Sequence, residues 1–231
     1  MANKFNQKNI TNLTENKDRL LNYSKKIEEK FNGPSAYFYQ QVINRIRTTK
    51  DYSILFNDTN FIEYIYATLT AWGMHRMDKN TRMAEFQDFR NSIVRNKDKF
   101  IGLSKKKIRD TNLEELKEDI LNVFSSLKIM SRDKAPKFVA NSKVMHFLLP
   151  DLIPPMDKGH IYYFFYGKIN QKGKKYLPQI KDEVETFWQI LLKFQEIANK
   201  LDLKEENLKN KWDTSIPKLI DNAIIGFNLS H

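Results

Sequence analysis

Apolar residues in this chain recur at intervals of three and four, and nowhere do they alternate long enough to require a sheet. Leu113, Leu116, Ile120, Val123, Phe124 and Leu127 form one such stripe, and Val184, Phe187, Trp188, Leu191, Phe194, Ile197 and Leu201 form another. Shorter ones run through Phe38–Ile46, through Ile62, Ile65, Tyr66, Leu69 and Trp72, and through Met83, Phe86, Phe89, Ile93 and Val94. A spacing of 3.6 buries one face of a helix against others. The expectation is an all-α protein of one globular unit over residues 1–231, with two helical lobes flanking a cleft.

The punctuation agrees. Gly33-Pro34 stops a helix over 15–31, and Ser35 can cap the next. Asn60 with Glu63 and Thr111 with Glu114 have capping-box spacing. Trp72-Gly73-Met74 ends a helix, and Pro217 suits the first turn of the last one, near Ser215–Ile225. Residues 1–14 read as loosely ordered, and Lys168–Lys175, with four lysines, reads as an exposed loop.

Charge narrows the partner. Lysine and arginine total 39 against 28 acids, a net charge of +11. That surplus favours a polyanion, nucleic acid before membrane. Lys105, Lys106, Lys107, Arg109, Lys158, Lys172, Lys174 and Lys175 are the candidate phosphate contacts. With no cysteine, thiolate zinc sites, disulfides and cysteine nucleophiles are excluded. No run approaches the roughly 18 apolar residues of a membrane span, and the first twenty residues have no apolar leader core, so a cytoplasmic location is expected. There is no phosphate-binding glycine loop, no dinucleotide fingerprint and no HExxH helix. His75, His146, His160 and His231 lack metal-ligand spacing, so no metal and no cofactor is expected; His146 reads as a residue at a polar boundary. Pro150-Asp151 with Asp157-Lys158 is only a faint match to a magnesium-dependent nuclease motif, which needs strands and a different spacing.

The chemistry concentrates in residues 136–167. Pro136 can start a helix whose buried side is Val139, Val144, Phe147 and Leu148, and Pro150 ends it. Lys143 lies roughly 10 Å before that end at 1.5 Å per residue. Pro154-Pro155 favours an extended return, and six extended residues reach roughly 20 Å. The return can therefore bring Asp157 back beside Lys143, at a helix start where a carboxylate caps well. The aromatic run 162–166 follows at once.

This stretch resembles the helix-hairpin-helix DNA glycosylases of base-excision repair. Val139-Ala140-Asn141-Ser142-Lys143 falls where that superfamily carries its hairpin and, in bifunctional members, its nucleophilic lysine. Ile153-Pro154-Pro155-Met156-Asp157 falls where it carries its return and aspartate. Trp72-Gly73-Met74, Ser142-Lys143 and Pro155-x-Asp157 together also resemble a group of uncharacterised prokaryotic proteins. The hairpin glycines are missing, and the interval from lysine to aspartate is about a helical turn shorter than usual in the family.

The resemblance implies a hydrolase that cuts the N-glycosidic bond of a damaged or modified base in double-stranded DNA, in DNA repair or antiviral defence. Asp157 and Lys143 would be catalytic, and Trp72, Tyr162, Tyr163 and Phe164 would line the base pocket. The alternative is a non-catalytic helical nucleic-acid-binding module in which Asp157 is a cap and Lys143 a phosphate contact. A helical scaffold with an incidental basic surface is the third reading.

Overall fold

The computed structural model describes residues 4–28, 31–49, 51–76, 81–132, 134–169 and 174–230, without the side chain of Lys175. Among these the chain is almost entirely helical, as the apolar spacing requires. The helices are α1 (Gln7–Leu13), α2 (Lys17–Lys25), α3 (Gly33–Thr48), α4 (Thr59–Ala71), α5 (Phe86–Val94), α6 (Lys97–Leu103), α7 (Leu113–Ser126), α8 (Phe138–Leu148), α9 (Tyr163–Tyr166), α10 (Glu183–Lys200) and α11 (Ile216–Asn228). One turn of π-helix, Lys158–Tyr162, runs directly into α9.

Some helix starts follow side-chain caps one or two residues away from those expected, but α2 ends at Lys25, well short of residue 31, and Gly33-Pro34 opens α3 rather than stopping α2. Asp58, not Asn60, caps α4 by accepting from the Phe61 N–H at 3.1 Å. Asn112, not Thr111, caps α7 through the Glu114 N–H at 3.3 Å. Ser35 lies inside α3, because Gly33 at φ +73° already begins that helix. Gly73, at φ +81°, takes the left-handed turn that ends α4.

Two expectations about loops fail. Residues 7–13 are helix α1, with Ile10 and Leu13 buried. What holds α1 is polar and distant: the Asn6 N–H donates to the Phe165 carbonyl at 2.6 Å, and Asn6 and Asn9 Nδ2 donate to the Gly167 and Phe164 carbonyls at 3.2 and 2.9 Å. These are the carbonyls that the end of α9 leaves without intrahelical donors. The lysine-rich segment likewise contains an antiparallel ribbon, β1 (Lys168–Ile169) with β2 (Lys175–Tyr176). Residues 81–85 are extended ahead of α5, with Met83 bridged to Met130.

A single hydrophobic core runs from Ile10 to Phe227. The chain's two ends meet in it. α2 lies along α11, and a Cβ at Gly226 would collide with the Tyr23 carbonyl. α3 packs along α4 in the middle of the chain, while α8 touches α3, α4, α7 and α10 and so joins the middle of the chain to α10. Among the described residues no helix is long and apolar enough to cross a membrane.

Candidate active site at the α8 return

α8 is buried on nearly every side, polar residues included, so each polar group needs a partner. Asn141 Nδ2 donates to the Phe124 and Leu127 carbonyls, completing the end of α7. Ser142 Oγ donates to the Val139 and Met156 carbonyls at 3.2 and 3.3 Å. His146 Nδ1 lies 2.8 Å from the Ile153 carbonyl. The last two contacts are a seam: the Ile153–Met156 return runs back along α8, as its prolines and length allow. Lys143 and Asp157 each follow a residue of this seam.

The imidazole of His146 is fully buried, not at a polar boundary. Ile153 offers only an acceptor, so Nδ1 carries the proton and Nε2 accepts from the Tyr39 hydroxyl at 3.2 Å. The Tyr39 oxygen in turn accepts from Thr214 Oγ1 at 2.5 Å. Burial, with Lys218 nearby, pushes the His146 pKa down to about 3, which keeps this chain neutral.

Asp157 caps the helix that starts at Lys158, its Oδ1 accepting from the His160 N–H at 2.6 Å. One carboxylate oxygen is thus committed to the backbone. Lys143 is half-buried, its ammonium 5.0 Å from the centre of the Trp72 ring. Burial drives its pKa down; Asp157 and Asp221 oppose that shift and Lys218 reinforces it. Among the described residues no carboxylate comes within ion-pair distance of Lys143. Its amine is held by an aromatic face and by charges at longer range.

The second lysine of the site was not legible in the motif. Lys218 and Asp221, 5% and 3% exposed, pair at 2.5 Å on α11. Burial raises Asp221 and Lys218 draws it back. The Lys218 ammonium lies 5.5 Å from the Phe31 ring and 5.8 Å from Tyr39, and both rings approach Trp72, at 6.4 and 5.9 Å. Phe31 also meets Trp212 edge-on at 4.7 Å. Two ammonium groups therefore flank one aromatic cluster. The indole N–H groups of Trp72 and Trp212, Nδ1 of His160 and Oδ1 of Asn222 are buried without hydrogen-bond partners. Each such atom costs about 1–3 kcal/mol unless a bound group or water completes it. A lysine and an aspartate inside the largely apolar IPKLIDNAIIGF was the available signal for this pair.

The remaining candidates scatter. Tyr162 and Phe164 are buried core residues rather than walls of an open pocket. Tyr163 is half-buried and faces the groove beside α1, and Trp72 alone of the four stands against Lys143. Lys107 pairs with Glu205, and Arg109 with Asp202 and the Leu203 carbonyl. Lys105 and Lys106 line a recess shared with Asp110 and Glu115. Two cations of this basic run thus face acids of the same chain, while Lys105 and Lys106 are exposed. Lys158 and Lys174 are exposed; Lys172, the Lys175 side chain and His231 lie outside the described residues. Comparison with known proteins gives no matching family model, no matching curated relative and no matching solved structure, so the chemistry rests on this chain's own residues.

Proposed function

We propose that this protein is a nucleic-acid N-glycosylase that removes a modified or damaged base, with Asp157 and Lys143 at the reacting centre. The observation that carries the reading is the Lys143 amine, its pKa lowered by burial, near Asp157 and over Trp72. Breaking an N-glycosidic bond builds positive charge on the sugar, and a carboxylate at that point stabilises it. A lysine whose ammonium is disfavoured offers more neutral amine at neutral pH. As the base departs with the bonding electron pair and takes up one of the amine's protons, the amine bonds to the anomeric carbon; the ring C–O bond then breaks, its oxygen takes the second proton, and a Schiff base remains. Lys218 supports this reading as a nearby cation that further disfavours the Lys143 ammonium. A base reaching this site must leave its stack, and Trp72 supplies an aromatic face for it. The net charge of +11 supports a polyanionic partner.

The test is single-turnover base release from duplexes that each carry one modified base. Asp157→Asn keeps a side-chain cap, because asparagine caps about as well as aspartate. It removes the negative charge, and the expected loss is on the order of 10²–10³ in rate with the melting temperature held. Borohydride should trap a covalent adduct with the unaltered protein and none with Lys143→Ala. Release at an unchanged rate by folded Asp157→Asn would refute the assignment and leave Asp157 as a cap in a binding module.

A further inference from the structure

The end of α9, helix α1 and the last residues of α11 enclose a groove of about 670 Å³, within the range of ligand-sized clefts. Its partly exposed aromatic residues are Phe5 and Tyr163; behind them Tyr166 and Phe227 are buried, with Phe5 stacked on Tyr166 at 4.9 Å and an interplanar angle of 21°. Its cations are Lys4, Lys8 and Lys168, all exposed. Among the described residues no aspartate or glutamate lines it. The negative end of the helix dipole would otherwise repel an anion here. Asparagine amides cover it: Asn6 and Asn9 donate to the Gly167 and Phe164 carbonyls at 3.2 and 2.9 Å.

We infer that this groove binds an unpaired stretch of nucleic acid, with bases against its aromatic rings and phosphates against Lys4, Lys8 and Lys168. Only an unpaired base presents its face to an aromatic side chain, and a lysine-lined groove that tracks the backbone is the usual companion of such stacking. Position supports the same ligand. Tyr163 lies six residues beyond Asp157, about 9 Å along one continuous helix. The inference rests on nucleic acid being the ligand, the reading proposed above, but not on cleavage of any bond.

Fluorescence anisotropy with a labelled oligothymidylate of about twelve nucleotides tests it, since that probe carries no modified base to excise. Lys4→Glu, Lys8→Glu and Lys168→Glu combined should weaken binding at least tenfold. They should also flatten the dependence of log K on log salt by about two units, at roughly 0.7 per lost single-strand contact. Tyr163→Leu should weaken binding by about 5- to 150-fold at an unchanged salt slope, the range expected for one lost base stack. Melting curves of both proteins establish that they are folded; the lysine changes are on exposed side chains and carry the test alone if Tyr163→Leu unfolds. Affinity and salt slope unchanged in the triple variant would overturn the inference, as would loss of duplex binding with oligothymidylate binding intact. Loss of base release in Asp157→Asn with oligothymidylate binding retained keeps the two readings separable.

Discussion

His146 gives a quantitative handle on the seam between α8, which carries Lys143, and the return that leads to Asp157. Its ring is fully buried, with Nδ1 on the Ile153 carbonyl and Nε2 on Tyr39, and its pKa is pushed from 6.5 down to about 3. The native state therefore refuses a proton that the unfolded chain accepts below pH 6.5. Stability from this group is fully present above that value and is lost as pH falls towards 3. Between pH 7.5 and 4.5 the unfolded histidine gains nearly one proton and the native one almost none. The integrated cost is about 2.7 kcal/mol at 1.36 kcal/mol per pH unit. His146→Gln can still donate to Ile153 or accept from Tyr39 but cannot titrate. It should cost about 1–2 kcal/mol at pH 7.5 through poorer packing and hydrogen bonding, and draw level with or overtake the unaltered protein at pH 4.5. Urea unfolding followed by tryptophan fluorescence across this range measures both proteins, and carboxylate titrations common to them cancel in the difference. Two curves that fall in parallel would refute a buried neutral His146 and, with it, the hydrogen-bond chain Thr214–Tyr39–His146–Ile153.

Two further perturbations probe the frame around the site. Lys218→Met strips Asp221 of its partner at 3% exposure and should destabilise by about 3–5 kcal/mol, less whatever Asp221 recovers by taking a proton; adding Asp221→Leu should restore most of the loss, and a double variant no more stable than the single would show that the pair is not what Lys218 supports. Gly226→Ala should cost roughly 1–3 kcal/mol in a denaturant titration, because its Cβ would strike the Tyr23 backbone and force α2 off α11.

The apolar spacing in the sequence determined the helical class, and local chemistry placed several helix ends to within a residue or two, though not the end of α2 or the start of α5. Trp72-Gly73-Met74 and Ser215-Ile216-Pro217 are cases where one residue type admits few backbone choices. The return over 150–157 was legible for the same reason: two prolines favour an extended path, the chain length fits, and a following aspartate caps the next helix. Periodicity alone did not separate wall from core within the aromatic run 162–166. Tyr163 faces the groove while Tyr162 and Phe164 are interior, because Phe138 of α8 meets the first and Phe227 of α11 the second, contacts set by packing distant in sequence.

Helix α1 was hidden from the sequence because its stability is not its own. Seven residues with two buried apolar side chains make a marginal helix in water, and its anchors are carbonyls more than 150 positions away. The basic run at 105–109 shows the reverse. Its charge is a sequence property, but whether a charge is available is tertiary, and here Asp202 and Glu205 occupy two of its cations. The second lysine of the site is tertiary too. Lys218 stands 75 positions from Lys143, and only the packing of α11 on the chain's first and central segments sets both ammonium groups against one aromatic cluster. Local sequence fixes which backbone each segment can adopt at low cost; which charges are buried, paired or left over depends on long-range packing, where desolvation outweighs any preference that neighbours in sequence can express.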